Sequence, residues 1–209
     1  MKRLWKLIPK SSFLLLSILI FIFGGPILDR IILFPHIKLV LYSLIFLGTF
    51  SILEKKTFIL KSLLYIGLSF NIFIFFFDIQ IFSAISFGFS AIVFTIITFV
   101  LIFQIAASKR FDSGIIIEAI IGYLLIGLVS TLLNSFLLEI NHEAIKFAGK
   151  AGLSDIIYYS YITLTTIGYG DISPQSDVAK SISIFTGLAG QLYLTIIIAF
   201  IIGKVSNYK

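Results

Sequence analysis

The sequence contains no cysteine and little charge. Only 12% of its 209 residues are Asp, Glu, Lys or Arg, and Met and Trp each occur once. Without cysteine, the chain has no disulfide, no thiolate metal ligand and no thiol nucleophile. A soluble domain carries about twice this charged fraction, because water must hydrate its surface. Most of the surface of this chain must therefore face a medium other than water.

Hydrophobic residues take the place of the missing charge. They account for 59% of the chain, Phe alone contributes 23 residues, and the mean hydropathy is +1.11. A membrane-spanning helix needs about 20 apolar residues, so a chain of this length holds roughly five to seven spans. The composition predicts a multi-pass integral membrane protein with the lipid membrane as its surroundings.

The remaining polar residues do not indicate an enzyme. The two histidines, His36 and His142, lie far apart in the sequence and suggest no metal site. No nucleophile–base or metal-ligand spacing is present, so neither catalysis nor a cofactor is predicted. The net charge of +6 would suggest nucleic acid as a partner of a soluble protein. In a membrane protein the position of the charge matters more, and no nucleic-acid partner is predicted.

Apolar runs separated by short polar breaks predict six spanning helices in an all-α membrane protein. Pro35 precedes the second run and suits a first helical turn. The sequence Gly24-Gly25-Pro26 predicts a bend or an early end in the first run. The six predicted spans are 11–28, 36–53, 58–77, 81–107, 115–138 and 179–203.

Lys and Arg in the connecting segments predict the orientation. With both termini inside, the inner segments hold eleven of the sixteen Lys and Arg residues and the outer segments hold five. This asymmetry favours cytoplasmic N- and C-termini. The basic start followed by an apolar run is also compatible with a cleaved signal peptide, although no Ala-x-Ala site follows, and the other five spans keep their orientation in either case.

The segment between Leu138 and Lys180 does not fit the spanning pattern. It is too long for a simple turn and too polar to cross the membrane fully. It contains a short aromatic segment, Ile156 to Thr165, followed by a glycine-rich turn. Irregular backbone at membrane depth is tolerated only where it is buried in protein or lines a watery cavity. This pattern predicts a re-entrant loop that lines a pore.

The glycine-rich turn reads Thr165-Thr166-Ile167-Gly168-Tyr169-Gly170-Asp171. Glycine accepts a positive φ at little cost, which suits a backbone whose carbonyls all point one way. The run resembles the selectivity filter of the potassium-channel family, in which backbone carbonyls replace the hydration shell of the ion.

The resemblance implies specific roles for the residues of this run. The carbonyls of Thr166, Ile167, Gly168 and Tyr169, with the Thr166 hydroxyl, are expected to bind K⁺, and Gly170 completes the filter. The side chains of Ile167 and Tyr169 are expected to face away and pack against the pore helix. Potassium is then the permeant ion, and the only ligand that the resemblance implies.

The residues around this run have implied roles as well. Ser154 is predicted to cap the pore helix, with Asp155 in its first turn. Tyr158 and Tyr159, with Thr165, are expected to support the filter.

Two of these side-chain assignments have alternatives. Tyr158, Tyr159 and Tyr161 match a collar around the filter, but tyrosines also form interfacial belts in membranes. Asp171 is expected at the outer mouth, either in a ring of carboxylates that concentrates cations or hydrogen-bonded to the collar.

The last span is predicted to line the inner pore and contains two glycines. By resemblance Gly190 matches the gating hinge of the family, with Gly187 as the alternative hinge. The alternative for both positions is a small residue that permits close helix contact. Gln191 and Thr195 are candidates for polar groups at the pore cavity.

The chain is predicted to divide into a four-helix membrane bundle, residues 1–110, and a pore domain, residues 111–209. Six spans with a loop before the sixth resemble the voltage-gated layout. However, the fourth span, Ile81 to Ser108, contains no charged residue. A gating charge contributes about 2.3 kcal/mol per 100 mV, so a span without charge obtains no work from the field. Conventional voltage sensing is not predicted.

Together these patterns predict a potassium-selective channel subunit that conducts K⁺ passively. Each chain supplies one filter strand, and a closed carbonyl ring needs four, so a homotetramer is predicted. The alternatives are a channel that is non-selective or passes Na⁺, a potassium transporter subunit, and a non-conducting membrane partner protein. The short length and the missing cysteine favour a prokaryotic inner membrane.

Overall fold

The computed structural model describes residues 9, 11–31, 37–53, 58–77, 80–108, 113–149 and 152–206. The predictions for Pro35 and His36 lie outside these residues. Within the described residues the chain forms eight α-helices, one π-helical turn and a two-residue strand pair. The helices are α1 (Ser12–Leu19), α2 (Gly25–Ile31), α3 (Ile37–Phe50), α4 (Phe58–Phe77), α5 (Gln80–Ala107), α6 (Ser113–Ile140), α7 (Leu153–Leu164) and α8 (Asp177–Ser206).

Helices occupy all six predicted spans, but they differ in length. Three of the helices described are long and apolar enough to cross a membrane, namely Ile81–Ala107, Gly114–Ile140 and Asp177–Gly203. Three further apolar helices are shorter, Ser12–Leu28, Leu39–Phe50 and Phe58–Ile74. The all-α membrane fold is therefore supported, whereas six complete crossings stay a prediction.

An early end of the first span at Gly24-Gly25-Pro26 was one of the two outcomes that the sequence predicted, and the structure does not show it. A π-helical turn, Ile20–Gly24, joins α1 directly to α2. The Gly25 N–H donates to the Ile20 carbonyl, five residues earlier. A proline ring clashes with the carbonyl four residues before it, and the wider π turn just before Pro26 gives that ring room. The irregularity widens the helix and lets it continue.

The hydrophobic core runs across the predicted boundary near residue 110. One buried cluster contains Phe46 and Phe94 from the N-terminal part together with Leu128 and Ile157 from the C-terminal part. The consecutive helices α5 and α6 pack extensively against each other, and α1 also contacts α6. The division into two domains stays a prediction, and the packing between the two parts is continuous.

A short strand pair closes the loop between α6 and α8. Strand β1 (Ile145–Lys146) pairs antiparallel with β2 (Ser173–Pro174). The Ala144 carbonyl accepts the backbone N–H groups of Gln175 and Ser176 at 2.8 and 3.2 Å. The chain between the strands therefore leaves this point, forms α7 and the glycine-rich turn, and returns to it.

Candidate functional site

The start of α7 is fixed by Asp155. Gly152 has the extended backbone of an N-cap, and its N–H donates to the Asp155 carboxylate at 3.0 Å. Asp155 lies in the first turn, as predicted, where the positive end of the helix dipole favours a carboxylate. The prediction that Ser154 caps the helix is wrong, because Ser154 is already inside the helix. Because the Asp155 carboxylate accepts the Gly152 N–H, the N-cap of α7 lies two residues earlier than predicted.

The end of α7 is a Schellman motif with threonine in the place usually held by glycine. The Thr166 N–H donates to the Thr163 carbonyl at 3.0 Å, and the Ile167 N–H donates to the Ile162 carbonyl at 3.1 Å. These bonds satisfy two carbonyls that would otherwise lack a partner at the helix end. The motif needs a left-handed residue after the cap, and Thr166 has φ +59°. The glycine-rich turn is therefore fastened directly to α7.

The backbone beyond α7 alternates in handedness. Thr166, Gly168 and Gly170 have φ values of +59°, +51° and +79°, whereas Ile167 and Tyr169 are not among the positive-φ residues. Reversing φ at every second residue is expected to bring successive carbonyls to one side of the chain, the geometry that the resemblance implies. The two glycines take the positive φ predicted for them at little cost.

A positive φ is a genuine outlier for a β-branched residue such as Thr166. Holding a residue in this conformation costs about 1–3 kcal/mol, and such strain concentrates at functional sites. The sequence predicts a left-handed backbone only at the glycines, so the conformation of Thr166 was not expected. A threonine one residue after a helix cap carries no sequence signal for it.

The hydrogen bonds of this segment leave its carbonyls free. The N–H groups of Thr166, Ile167 and Gly168 all donate back into α7, the last one to Ile162 at 3.4 Å. Among the described residues, no backbone N–H donates to the carbonyls of Thr166, Ile167, Gly168 or Tyr169. A carbonyl without a protein donor must find water or a cation. This set of oxygen atoms is suited to a cation.

The side chains of the segment point outward from the single chain. Ile167 is 54% exposed and Tyr169 is 71% exposed. The packing of these two side chains against the pore helix, expected from the resemblance, is therefore incomplete within one chain. At the inner end, the Gln191 side-chain amide donates to the Thr166 hydroxyl at 3.3 Å. This bond links α8 to the start of the filter run.

Three tyrosines of α7 are anchored within the protein. The Tyr161 hydroxyl donates to the Leu124 carbonyl of α6 at 2.8 Å. The Tyr159 hydroxyl is hydrogen-bonded to the Ser183 hydroxyl of α8, with 2.5 Å between the two oxygen atoms. The Tyr158 hydroxyl donates a hydrogen bond to the Asp171 carboxylate, and this bond, with a smaller effect of burial, raises the pKa of Tyr158.

These tyrosine contacts bear on the alternatives for the collar and for Asp171. The three tyrosines are hydrogen-bonded to α6, to α8 and to Asp171. Asp171 lies against Tyr158 within one chain, while the collar around the filter and the ring of carboxylates both stay predictions.

Two glycines on α6 provide the space for tyrosine rings. A Cβ atom at Gly127 would overlap the Tyr161 ring, and one at Gly122 would overlap the Tyr193 hydroxyl. The Tyr193 hydroxyl in turn donates to the Ala119 carbonyl at 2.7 Å. Neither glycine, nor Tyr193, was identified from the sequence, because a glycine in an apolar helix does not reveal which ring lies over it.

A buried polar cluster joins the three helices around the site. The Asn134 amide donates to the Ser160 hydroxyl of α7 at 3.2 Å. The Thr186 hydroxyl of α8 donates to Ser130 of α6 at 2.9 Å. All four residues are buried. The Asn134 amide N–H and the Thr186 hydroxyl find partners on neighbouring helices, although Asn134 Oδ1 has none among the described residues. Such paired donors favour one arrangement over its alternatives, so this cluster helps to fix α7 between α6 and α8.

Gly190 lies where α8 crosses the end of α7. A Cβ atom there would stand 2.5 Å from the Leu164 carbonyl oxygen and 2.8 Å from Leu164 Cδ1. At Gly187 the nearest such atom is the Thr163 carbonyl oxygen, at 3.8 Å. Helix α8 continues through both glycines without a break. The geometry gives Gly190 a close-contact role, and its role as a hinge stays a prediction.

Replacing Tyr161 by Phe tests the anchoring of α7. The ring keeps its place over Gly127, but the hydrogen bond to Leu124 is lost, at an expected cost of about 0.5–1.5 kcal/mol. The measurement is thermal unfolding in detergent. Tyr65→Phe is the matched control, because the Tyr65 side chain is 62% exposed. Equal melting temperatures for the two variants would contradict the anchoring role.

Comparison with known proteins gives a family match over the part of the chain that contains this site. Residues 128–207, which include α7, the filter run and α8, match the family model described as "Ion channel". The chain is similar to two pore potassium channel b of Oryza sativa subsp. japonica, with 34% identity over 73 residues, 34% of this chain and 19% of that protein. It is also similar to two-pore potassium channel 2 of Arabidopsis thaliana, with 30% identity over 91 residues, 44% of this chain and 20% of that protein. Residues 128–207 are therefore similar in sequence to ion channels.

The matched regions make up about a fifth of the length of the two plant relatives. No solved structure matches the chain. The family model matches the C-terminal part of the chain, where the filter run lies.

Proposed function

We propose that the chain is one subunit of a potassium-selective channel that conducts K⁺ passively. The observation that carries this proposal is the alternating backbone of residues 166–170, whose carbonyls have no donor among the described residues. A cation must lose its water to be selected, and fixed carbonyl oxygens compensate for that loss. The proposed ligands are the carbonyls of Thr166, Ile167, Gly168 and Tyr169, with the Thr166 hydroxyl.

The proposed pore is a homotetramer. A single filter strand cannot enclose an ion. Four strands related by cyclic symmetry form a closed ring of oxygen atoms around it. Residues 165–171 are exposed in the single chain, which suits a segment that meets its symmetry copies. The side chains of Ile167 and Tyr169 then gain from neighbouring subunits the packing that one chain lacks.

The proposed setting is a membrane crossed six times, with both termini on the cytoplasmic side. The three shorter apolar helices then complete the six crossings, with help from residues beside them. The expectation of a prokaryotic inner membrane has no support from the two relatives, which are plant proteins.

The proposed channel does not sense voltage by moving charge. Helix α5 corresponds to the span that carries gating charges in the voltage-gated layout, and it has no Asp, Glu, Lys or Arg. The N-terminal helices therefore need another role.

The decisive experiment is reconstitution of the purified protein in liposomes, with K⁺ and Na⁺ flux measured side by side. We expect K⁺ flux to exceed Na⁺ flux clearly. A K⁺ to Na⁺ permeability ratio close to one would favour the non-selective channel. No flux from intact tetramers would favour the non-conducting partner protein.

The same assay tests the filter assignment through Tyr169. Tyr169→Asp places a carboxylate where the aromatic ring holds the filter width, so we expect K⁺ selectivity to be lost. Tyr169→Phe keeps the ring and serves as the control, with selectivity retained. Unchanged selectivity in Tyr169→Asp would contradict the assignment.

A further inference from the structure

We propose that the first span positions the pore helix of its own subunit, through a contact between Gly25 and Ile157. This inference rests on the proposed function, since it assigns the N-terminal helices a role in setting the filter. It makes Gly25 a positioning residue for ion selection. The observations are the placement of the π turn, the missing side chain at Gly25 and the continuous core.

The π turn directs Gly25 towards α7. Gly25 is buried, whereas Gly24, one residue earlier, is partly exposed. A Cβ atom at Gly25 would stand 3.2 Å from Ile157 Cδ1 on α7 and 3.5 Å from Leu41 Cδ1 on α3. The first distance is tighter than ordinary van der Waals contact, so a side chain at position 25 requires Ile157 Cδ1 to shift. π turns are frequently found at functional sites.

Helices α1, α2 and α3 form a packed wall, and α2 brings this wall against α7. Helix α2 packs against α7, and α1 packs against α3. Ile157 is 2% exposed, and it shares one core cluster with Phe21 and Tyr42, whose ring centroids are 5.1 Å apart. Because protein cores are close-packed, a shift of this wall moves the residues that it touches.

The wall also reaches the outer end of the site. Pro26 and Ile27 line a cavity of about 900 Å³ together with Asp155, Tyr158 and Asp171. These three residues lie at the start of α7, in its collar and directly after the filter. The first span therefore adjoins the pore helix along one side and the filter exit at its outer end.

The mechanical consequence follows from the short distance to the filter. Ile157 lies seven residues before Leu164, about 10 Å along a helix with a rise of 1.5 Å per residue. The filter run is tied to the last turn of α7 by the bonds at Ile162 and Thr163. A push on Ile157 is therefore transmitted to the carbonyls beyond the helix end, where small displacements change the fit of the ion.

Two neighbouring glycines allow a matched test. Gly25→Val adds a side chain against Ile157. In Gly24→Val the nearest atoms belong to Ile20 and Leu28 of the same span, at 3.6 and 3.9 Å. Both variants carry the same change of residue type in the same turn. We expect the Na⁺ to K⁺ permeability ratio to rise about fivefold in Gly25→Val, the lower end of typical coupling between sites, and to stay unchanged in Gly24→Val.

A second-site change separates positioning from general damage. In Gly25→Val combined with Ile157→Ala, the space for the added side chain is restored, and the permeability ratio is expected to return towards the wild-type value. A merely structural effect would lower the yield of tetramers without changing the ratio of those that remain. The fraction of each variant that elutes as a tetramer is therefore measured by size-exclusion chromatography before each flux assay.

The outcomes distinguish the two proposals. If the wild-type protein does not prefer K⁺, the proposed function fails. If the wild type is selective and Gly25→Val equals Gly24→Val, the positioning role is overturned. Should Gly25→Val not assemble, Gly25→Ala and Gly24→Ala replace the pair, since alanine favours helix formation. Equal permeability ratios in that pair would likewise overturn the inference.

Discussion

Replacing Gly190 by Ala is expected to destabilise the protein, whereas Gly187→Ala is expected to stabilise it. Alanine is favoured over glycine inside a helix by about 1 kcal/mol, and at Gly187 the added methyl group would meet only ordinary contacts, at 3.8 Å. At Gly190 it would stand 2.5 Å from the Leu164 carbonyl oxygen. Backbone atoms do not yield easily, and overpacking of this kind costs about 1–3 kcal/mol.

The measurement is thermal unfolding of both variants in the same detergent, followed by K⁺ flux in liposomes. Displacement of α8 at Gly190 would also move the Leu164 end of α7, so flux through Gly190→Ala is expected to fall with stability. A Gly190→Ala protein as stable as Gly187→Ala would contradict the close-contact role. Normal stability with altered opening would instead favour the predicted hinge.

Replacing Gly168 or Gly170 by Ala is expected to abolish K⁺-selective flux while the protein still folds. Both glycines have positive φ, and no neighbouring atom lies within 4 Å of an added Cβ atom in the chain. The cost therefore comes from the backbone conformation, about 1–2 kcal/mol per residue. In a tetramer it would arise four times, all around one ring of carbonyls.

Gly203→Ala provides the control for this experiment. An added Cβ atom at Gly203 also meets nothing within 4 Å, and its φ is not in the left-handed region. Liposomes with the three variants are compared for K⁺ and Na⁺ flux, and tetramer content is measured beside them. K⁺-selective flux through either filter variant at the level of Gly203→Ala would contradict the left-handed requirement.

The helices were predictable because their pattern is strong. Long apolar runs with polar breaks leave few alternatives, and α5, α6 and α8 agree with the predicted spans to within three residues at each end. The positive φ of Gly168 and Gly170 was predictable too, since glycine accepts that backbone most readily. Local physical preferences were sufficient for both.

The ends and contacts of α7 were less predictable. Its start shifted to Gly152 because Asp155 satisfies the N–H there, a choice between neighbouring capping residues that differ by little free energy. The left-handed Thr166 opposes its own preference, and the Schellman bonds and Gln191 hold it there. Such overrides of local preference occur where the surrounding structure fixes the conformation.

The sequence by itself determined the membrane class, the position of the helices, the absence of charge along α5 and the residues of the filter run. These follow from composition and short-range pattern. Only the tertiary structure decided which glycines serve close contacts, that Tyr161 rests over Gly127, and that the first span meets the pore helix at Gly25. The physical reason is that packing brings together residues that are distant along the chain. A glycine in the sequence indicates that space is available, but it does not indicate which side chain fills that space.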